Sequence, residues 1–568
     1  NITFYPIHTD ENFLHRAVGM FRDDISPSLD EELLIEANLL LKNTDMDIRL
    51  ARPVCLSECR PWWERKLLSY VAANLNLIED FFTFQAIRKP FIEKLTRVCI
   101  KRSSEKIRDQ YMESIYHSVS VNLSHLASTL LLDLINNNRN EIDYAEFCRL
   151  LYLSVKRVQK LQDIHLHRSL RNPEVYSGLI YGNDEAISDL VELGIKNNLL
   201  ARKGSLLHLY DELSREYEFD TIRMENILQV YANEIAPLGS VLLAIRQAIQ
   251  ESGVLNTHDL AALKHDDELR RYDWNHHYYS KARFNEINRT ESIMESGRPF
   301  FYLPEFPQSD RQAMGILLVH GFLASPAEMK PVAEKLLAEG YPVYGVRLAG
   351  HGTSPADLRE RSWQDWLASV QRGYEILASR VDTICMLGFS TGGALSLLHA
   401  ADQPEDLQGV IVINPPMKFR NRKMKFVPIL HGVSRIVRWS SSLEGVIPYR
   451  RNEPEHPRIN YRNVPVRGLY ELMQLKNRLR QRLDQVRCAC LIIQSSDDPI
   501  TTPDSADILA KGLVNASVSK IRIDSDRHGI LYEDTDNLHE RISGYIRALG
   551  TPECMPEQFE NGERQWAG

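Results

Sequence analysis

Three patterns of apolar and polar spacing follow one another along the chain. Residues 1–60 carry a strand-like run from Ile2 to Ile7, the apolar stretch 33–41 and the alternating stretch 45–50, which together predict a partial α/β segment. From 61 to 290 apolar residues recur at three- and four-residue spacing, as at Leu123, Leu126, Leu130 and Leu131, and β-branched runs are few. That spacing predicts a mainly helical domain. The polar breaks 136–140 and 202–204 end helices, and 205–209 reads as a short strand. From 291 to 550 strand-length apolar runs alternate with amphipathic stretches, the pattern of a doubly wound, mostly parallel α/β sheet. Strands are predicted at 315–320, 342–347, 383–387, 409–414, 490–494 and 519–523, with helices at 327–340 and 363–379. Each crossover is long enough for a right-handed parallel unit. Residues 551–568 are polar and predict a loose tail.

Composition narrows the class. At 568 residues the chain exceeds one ordinary domain, and 43% hydrophobic with 25% charged residues gives material for separate cores. No run of 18 or more apolar residues occurs, and the N-terminus lacks a basic region followed by an apolar run, so neither a membrane span nor a signal peptide is predicted. The 8 cysteines do not fall at framework spacings, which points to a reducing, cytoplasmic setting. With 68 Lys+Arg against 76 Asp+Glu the net charge is −8, which argues against a nucleic-acid partner. The chain opens on Asn1 rather than Met and so reads as a processed product or a piece of something longer.

The chemistry concentrates in the third region. Gly388-Phe389-Ser390-Thr391-Gly392-Gly393 stands between a predicted strand and a helical run, the context of a nucleophile elbow. Such a turn exposes the serine hydroxyl in a strained conformation, and Gly388 and Gly392 supply the clearance it needs. A serine nucleophile needs a base, and the base needs an acid to fix its tautomer. In chain order the candidates are Asp498, at a strand exit, and His528, in Asp526-Arg527-His528-Gly529. Asp498 is preferred to Asp497 because it begins the turn Asp-Pro-Ile-Thr-Thr-Pro that leads into a helix. The backbone N–H of Thr391 and that of Phe322, after His320-Gly321, are candidate oxyanion donors. His320, His351, the pair His276-His277, Cys55 with Cys59, and the stretch 138–146 lack the partners and spacing of a metal site, and no metal is assigned.

On His320-Gly321-Phe322, Gly350-His351-Gly352-Thr353-Ser354, Trp363 to Trp366, the Ser390 elbow, Asp498 and His528, residues 310–548 resemble the α/β-hydrolase superfamily, in its carboxylesterase, monoacylglycerol lipase and lysophospholipase-like branch. The resemblance implies a cofactor-free serine hydrolase of carboxylic esters, with Ser390 as nucleophile, Asp498 as acid, His528 as base and acyl lipids as substrates. Thr391 departs from the bulky apolar residue common in this branch, which bears on pocket shape rather than on the backbone donor. The same fold and triad serve aminopeptidases, so peptide hydrolysis stays open. Residues 1–50 and 115–245 are diffusely similar to the C-terminal part of a glycerol-phosphate acyltransferase, but none of the 18 histidines is followed five positions later by Asp. That leaves a non-catalytic remnant, or a fusion whose catalytic part lies upstream.

An insertion at about 416–487 reads as a cap. From Lys418 to Arg487 it carries 17 Lys+Arg against 5 Asp+Glu, interleaved with apolar residues. Lys418, Arg420, Arg422, Lys423 and Lys425 are its candidate contacts with anionic lipid, at the inner face of a membrane. The competing expectation pairs this charge with the acidic helical half of the chain.

Overall fold

The computed structural model describes residues 2–5, 44–51, 53, 60–73, 90–182, 184–217, 222–291, 296–304, 312–420 and 449–549, in two compact units, Asn1–Val254 and Leu255–Gly568. The apolar run 33–41, the tail 551–568, and the cap residues Arg422, Lys423 and Lys425 lie outside the described residues.

In the first unit, strands Ile2–Tyr5 and Asp45–Ile48 pair antiparallel with Ile2 opposite Ile48. Helix Leu123–Asn136 begins at Asn122, whose side chain accepts the His125 N–H while His125 Nδ1 accepts the Asn122 N–H, a reciprocal N-terminal cap. Its Leu123, Leu126, Leu130 and Leu131 are fully buried, so the three- and four-residue spacing marks a core face. Asp143 caps the next helix, Tyr144–Val158, by accepting from Ala145 N and Glu146 N, which gives the polar stretch 138–146 a structural use. The expected strand at 205–209 appears as Leu206–Leu209 and gains two antiparallel partners, Glu141–Asp143 and Leu200–Lys203. Those partners are too short to show a strand period. No single described helix is long and apolar enough to cross a membrane; Ile227–Ile235 with Gly239–Ser252 passes by composition but bends by 110°.

The second unit is built on seven strands: β1 Phe300–Tyr302, β2 Gln312–Val319, β3 Val343–Val346, β4 Val381–Phe389, β5 Leu407–Ile413, β6 Ala489–Ser495 and β7 Val518–Ile523. Their order is β7-β6-β5-β4-β2-β3-β1, parallel throughout except for the edge strand β1, which runs antiparallel to β3. Six of the seven match predicted strands. The seven helices that matter for the site are α1 Thr257–Tyr279, α2 Lys330–Ala338, α3 Trp363–Ala378, α4 Thr391–Ala400, α5 Val466–Arg480, α6 Asp504–Gly512 and α7 Leu538–Leu549. Ser362 caps α3 with Asp365 as the reciprocal partner, which explains why the helix starts at Trp363.

The strands read as continuous apolar runs because both sheet faces are covered. Along β4, Ile384 and Met386 face a cluster that includes Trp366 and Tyr374 of α3 and Leu472, Leu475 and Leu479 of α5. Cys385, Leu387 and Phe389 face the other cluster, with Val332 and Leu336 of α2 and Ile542 and Ile546 of α7. Helix α5 therefore belongs to the core, although it lies within the insertion. Helix α1, which the spacing alone groups with the helical region, is tied into this unit by Arg372 Nε donating to Glu268 at 2.6 Å and Lys264 Nζ to Glu375 at 2.9 Å.

The chain order reverses between β2 and β4, which are direct neighbours with Val319 opposite Gly388. Loops leaving their carboxyl ends diverge there, and a crevice opens where open α/β sheets bind ligands.

Candidate active site

Ser390 sits on that crevice in the turn from β4 to α4, with φ 50° and ψ −112°. A non-glycine residue at positive φ costs on the order of 1 kcal/mol or more, so the surroundings must hold it. Its N–H donates to Ile413 O at 2.7 Å, which pins the turn to β5. Added Cβ atoms at Gly388 and Gly392 would collide with Gly393 N and Val319 O respectively. The glycines of the motif are thus a steric requirement.

Asp498, at the exit of β6, is fully buried and accepts four hydrogen bonds. Oδ1 takes Ile500 N at 2.7 Å and Thr501 N at 3.0 Å; Oδ2 takes Thr501 Oγ1 at 2.7 Å and His528 Nδ1 at 2.7 Å. Burial alone pushes its pKa up, but the His528 hydrogen bond and charge, with the Thr501 donors, outweigh it and leave the carboxyl below its ordinary value. Donating from Nδ1 leaves Nε2 of His528 for other partners. The neighbouring Asp497 side chain is 67% exposed and holds Arg420 Nη2 at 2.6 Å, so it is turned away from the histidine that Asp498 binds.

Ser390 and His528 line one cavity of about 350 Å³. Its apolar lining includes Phe322, Phe389, Phe419, Leu469 and Leu472, and the segment 452–460 adds Asn452, Glu455, His456 and Asn460. The His528 ring lies 5.0 Å from that of Phe389. Phe322 and Thr391, the two expected backbone donors, line the same cavity. The loop after β2 is held from behind: His320 Nδ1 donates to Gly321 O at 2.9 Å and its Nε2 accepts Leu348 N at 3.2 Å. Burial pushes the His320 pKa down to about 4, which keeps it neutral in this bracing role. His351 is also buried, and among the described residues no group of three or more His, Cys, Asp or Glu side chains has the arrangement to hold a metal ion.

Three contributors escaped the sequence reading. Glu328, buried at the cavity wall, accepts Gly321 N–H through Oε2 at 2.7 Å, and desolvation pushes its pKa up to about 7. Asn414, at the end of β5, donates through Nδ2 to His528 O at 2.8 Å and accepts Ser495 N at 2.8 Å. Tyr461 ties two rim loops together: its hydroxyl accepts Thr353 N at 2.8 Å and donates to Gly350 O at 3.0 Å, while its N–H donates to Leu323 O. A polar residue closing an apolar strand was the visible signal for Asn414; the other two had none.

Of the five basic cap residues, Lys418 pairs with Asp504, and Arg420 donates to Asp497 and, through Nε at 2.9 Å, to Asp498 O. At these two positions the cap's charge is met by carboxylates of its own unit.

The family described as serine aminopeptidase, S33 is matched over residues 311–535. The chain is 30% identical over 236 residues to a thermostable monoacylglycerol lipase of Bacillus sp. (strain H-257), covering 42% of this chain and 88% of that protein. It is 24% identical over 236 residues to a carboxylesterase of Bacillus subtilis (strain 168), covering 41% and 92%. Among solved structures, the monoacylglycerol lipase of Paleococcus ferrophilus aligns with a TM-score of 0.36 and 19% identity, covering 45% of this chain and 100% of the other. The chain belongs to the α/β-hydrolase superfamily. Its C-terminal half is a hydrolase of the esterase and lipase kind.

Proposed function

We propose that Ser390, His528 and Asp498 are nucleophile, base and acid of an acyl-enzyme mechanism that cleaves carboxylic esters of fatty acyl chains, monoacylglycerol or lysophospholipid among them. The observation that carries the reading is the 2.7 Å bond from His528 Nδ1 to the buried Asp498, with that histidine and the strained Ser390 facing one largely apolar cavity. In the first half-reaction Ser390 Oγ attacks the ester carbonyl carbon and His528 Nε2 takes its proton. The N–H groups of Phe322 and Thr391 stabilise the oxyanion, and collapse of the tetrahedral intermediate breaks the ester C–O bond as His528 returns the proton to the leaving alcohol. Water, deprotonated by His528, then attacks the acyl-enzyme; the acid is released and Ser390 regains its proton. Asp498 stays ionised throughout and stabilises the imidazolium.

An aminopeptidase would need carboxylates free to receive a substrate ammonium group. Of the two that the described residues place in this cavity, Glu455 is engaged with backbone N–H groups and Glu328 accepts the Gly321 N–H with its pKa pushed up to about 7, which favours the ester reading. A panel of monoacylglycerols, lysophospholipids, short-chain esters and aminoacyl amides tests it. Turnover is expected on the acyl lipids. Faster turnover of the amides would overturn the substrate class, and retained turnover in Ser390→Ala would overturn the mechanism.

A further inference from the structure

The segment between strands Tyr449–Arg451 and Asn463–Pro465 contributes to the cavity wall, and one of its side chains also reaches the loop that carries His528. Glu455 Oε1 accepts the His528 N–H at 3.1 Å, and Oε2 accepts the Gly529 N–H at 2.8 Å. A carboxylate shared between two consecutive backbone N–H groups fixes the orientation of the peptide between them as well as its position, and charge makes such bonds roughly twice as strong as neutral ones. Arg527 Nε stands 4.0 Å from the same Oε2. Glycine at 529 permits the approach: a Cβ there would lie 2.8 Å from Glu455 Oε2 and 2.7 Å from His456 Nε2. Gly529 is not among the glycines with positive φ, so clearance rather than backbone conformation explains it.

His528 is thus held from three directions. Asp498 takes its ring, Asn414 Nδ2 donates to its carbonyl at 2.8 Å, and Glu455 accepts from its N–H. The first two holders sit at strand ends of the sheet; the third comes from the insertion. We infer that Glu455 is a positioning residue for the base, through which the cap segment sets the imidazole in register with Ser390. The inference rests on the reading of His528 as base. The same segment lines the cavity and holds the base loop.

The rival role is a direct substrate contact, since Glu455 also lines the cavity. Steady-state kinetics on a soluble medium-chain monoacylglycerol separates them. Positioning predicts that Glu455→Ala lowers kcat by about 100-fold, the order expected for a misplacement near 1 Å, with KM little changed. Glu455→Gln should fall between, because its amide oxygen can serve one N–H while its NH2 opposes the other. Gly529→Ala should displace the carboxylate and cost kcat similarly, and Glu455→Ala/Gly529→Ala should lose no more than the worse single variant. The downfield proton resonance of the His528 Nδ1–H···Asp498 bond should broaden in Glu455→Ala, a signature that a peripheral structural role would not move. A raised KM at unchanged kcat, or additive losses in the double variant, overturns the inference. Should Glu455→Ala fail to fold, Glu455→Gln and Gly529→Ala decide it by the same criteria. Full turnover in Ser390→Ala would instead sink the underlying mechanism, whereas its loss there with a wild-type kcat in Glu455→Ala sinks only the positioning role.

Discussion

Replacing Glu328 by glutamine turns a buried titrating carboxyl into a neutral group of the same shape, and the effect on stability has a definite sign and size. Burial pushes the native-state pKa of Glu328 up to about 7, against an ordinary value of 4.5. The group is 4% exposed, so solvent screening calls for little discount. Below the unfolded pKa both states hold the proton and its stabilising contribution is complete. As pH rises through the native pKa the unfolded chain has already released a proton that the native protein retains, and that contribution is lost. A difference of roughly 2.5 units at 1.36 kcal/mol each amounts to about 3 kcal/mol by pH 8. Glu328→Gln escapes this loss, because its amide oxygen still accepts the Gly321 N–H that Glu328 Oε2 takes at 2.7 Å. Urea unfolding of both proteins from about pH 5 to pH 8 reads the difference directly. The stability of the variant relative to wild type should climb by about 2.5 kcal/mol across that range, the first part of the loss falling below pH 5. A difference that stays constant with pH would show instead that Glu328 titrates at an ordinary value.

Three further outcomes follow. Asp498→Asn should cost orders of magnitude in kcat by misorienting the imidazole, whereas Asp497→Asn, at the exposed carboxylate that holds Arg420, should be mild; equal losses would overturn the acid assignment. Chelation with excess EDTA should leave ester turnover intact, because nucleophile, base and oxyanion donors are all protein groups; loss of activity restored by a metal would contradict this. Co-sedimentation with vesicles tests the basic insertion: binding should require anionic lipid, fall with salt, and weaken when Lys418, Arg420, Arg422, Lys423 and Lys425 become Gln. Salt-insensitive binding, or none, would assign that charge to partners within the protein, as Asp504 and Asp497 already are for Lys418 and Arg420.

What could be read before folding was whatever is constrained locally. The elbow around Ser390 needs glycines at fixed offsets whatever surrounds it, so five residues announce it. Asp498 and His528 were legible because strand ends converge at one rim of a parallel sheet, and because a buried sheet writes continuous apolar runs. Strand β1 was missed: Phe300–Tyr302 has three residues and pairs only along the edge. Glu328 and Glu455 look like any surface glutamate, and their meaning comes from backbone N–H groups of other segments brought against them by the fold. In the first unit the repeating apolar spacing gave the helices, but the short sheet that Leu206–Leu209 organises depends on pairings between segments distant in sequence.

The proposed mechanism stands on Ser390 being a nucleophile activated by His528. A fluorophosphonate probe with peptide mapping tests it most directly, since the probe bonds only to a serine oxygen whose proton a neighbouring base removes. Stoichiometric labelling is expected on the peptide containing Ser390, absent in Ser390→Ala and slowed by orders of magnitude in His528→Ala. Labelling at another serine, or undiminished labelling of Ser390 without His528, would contradict it.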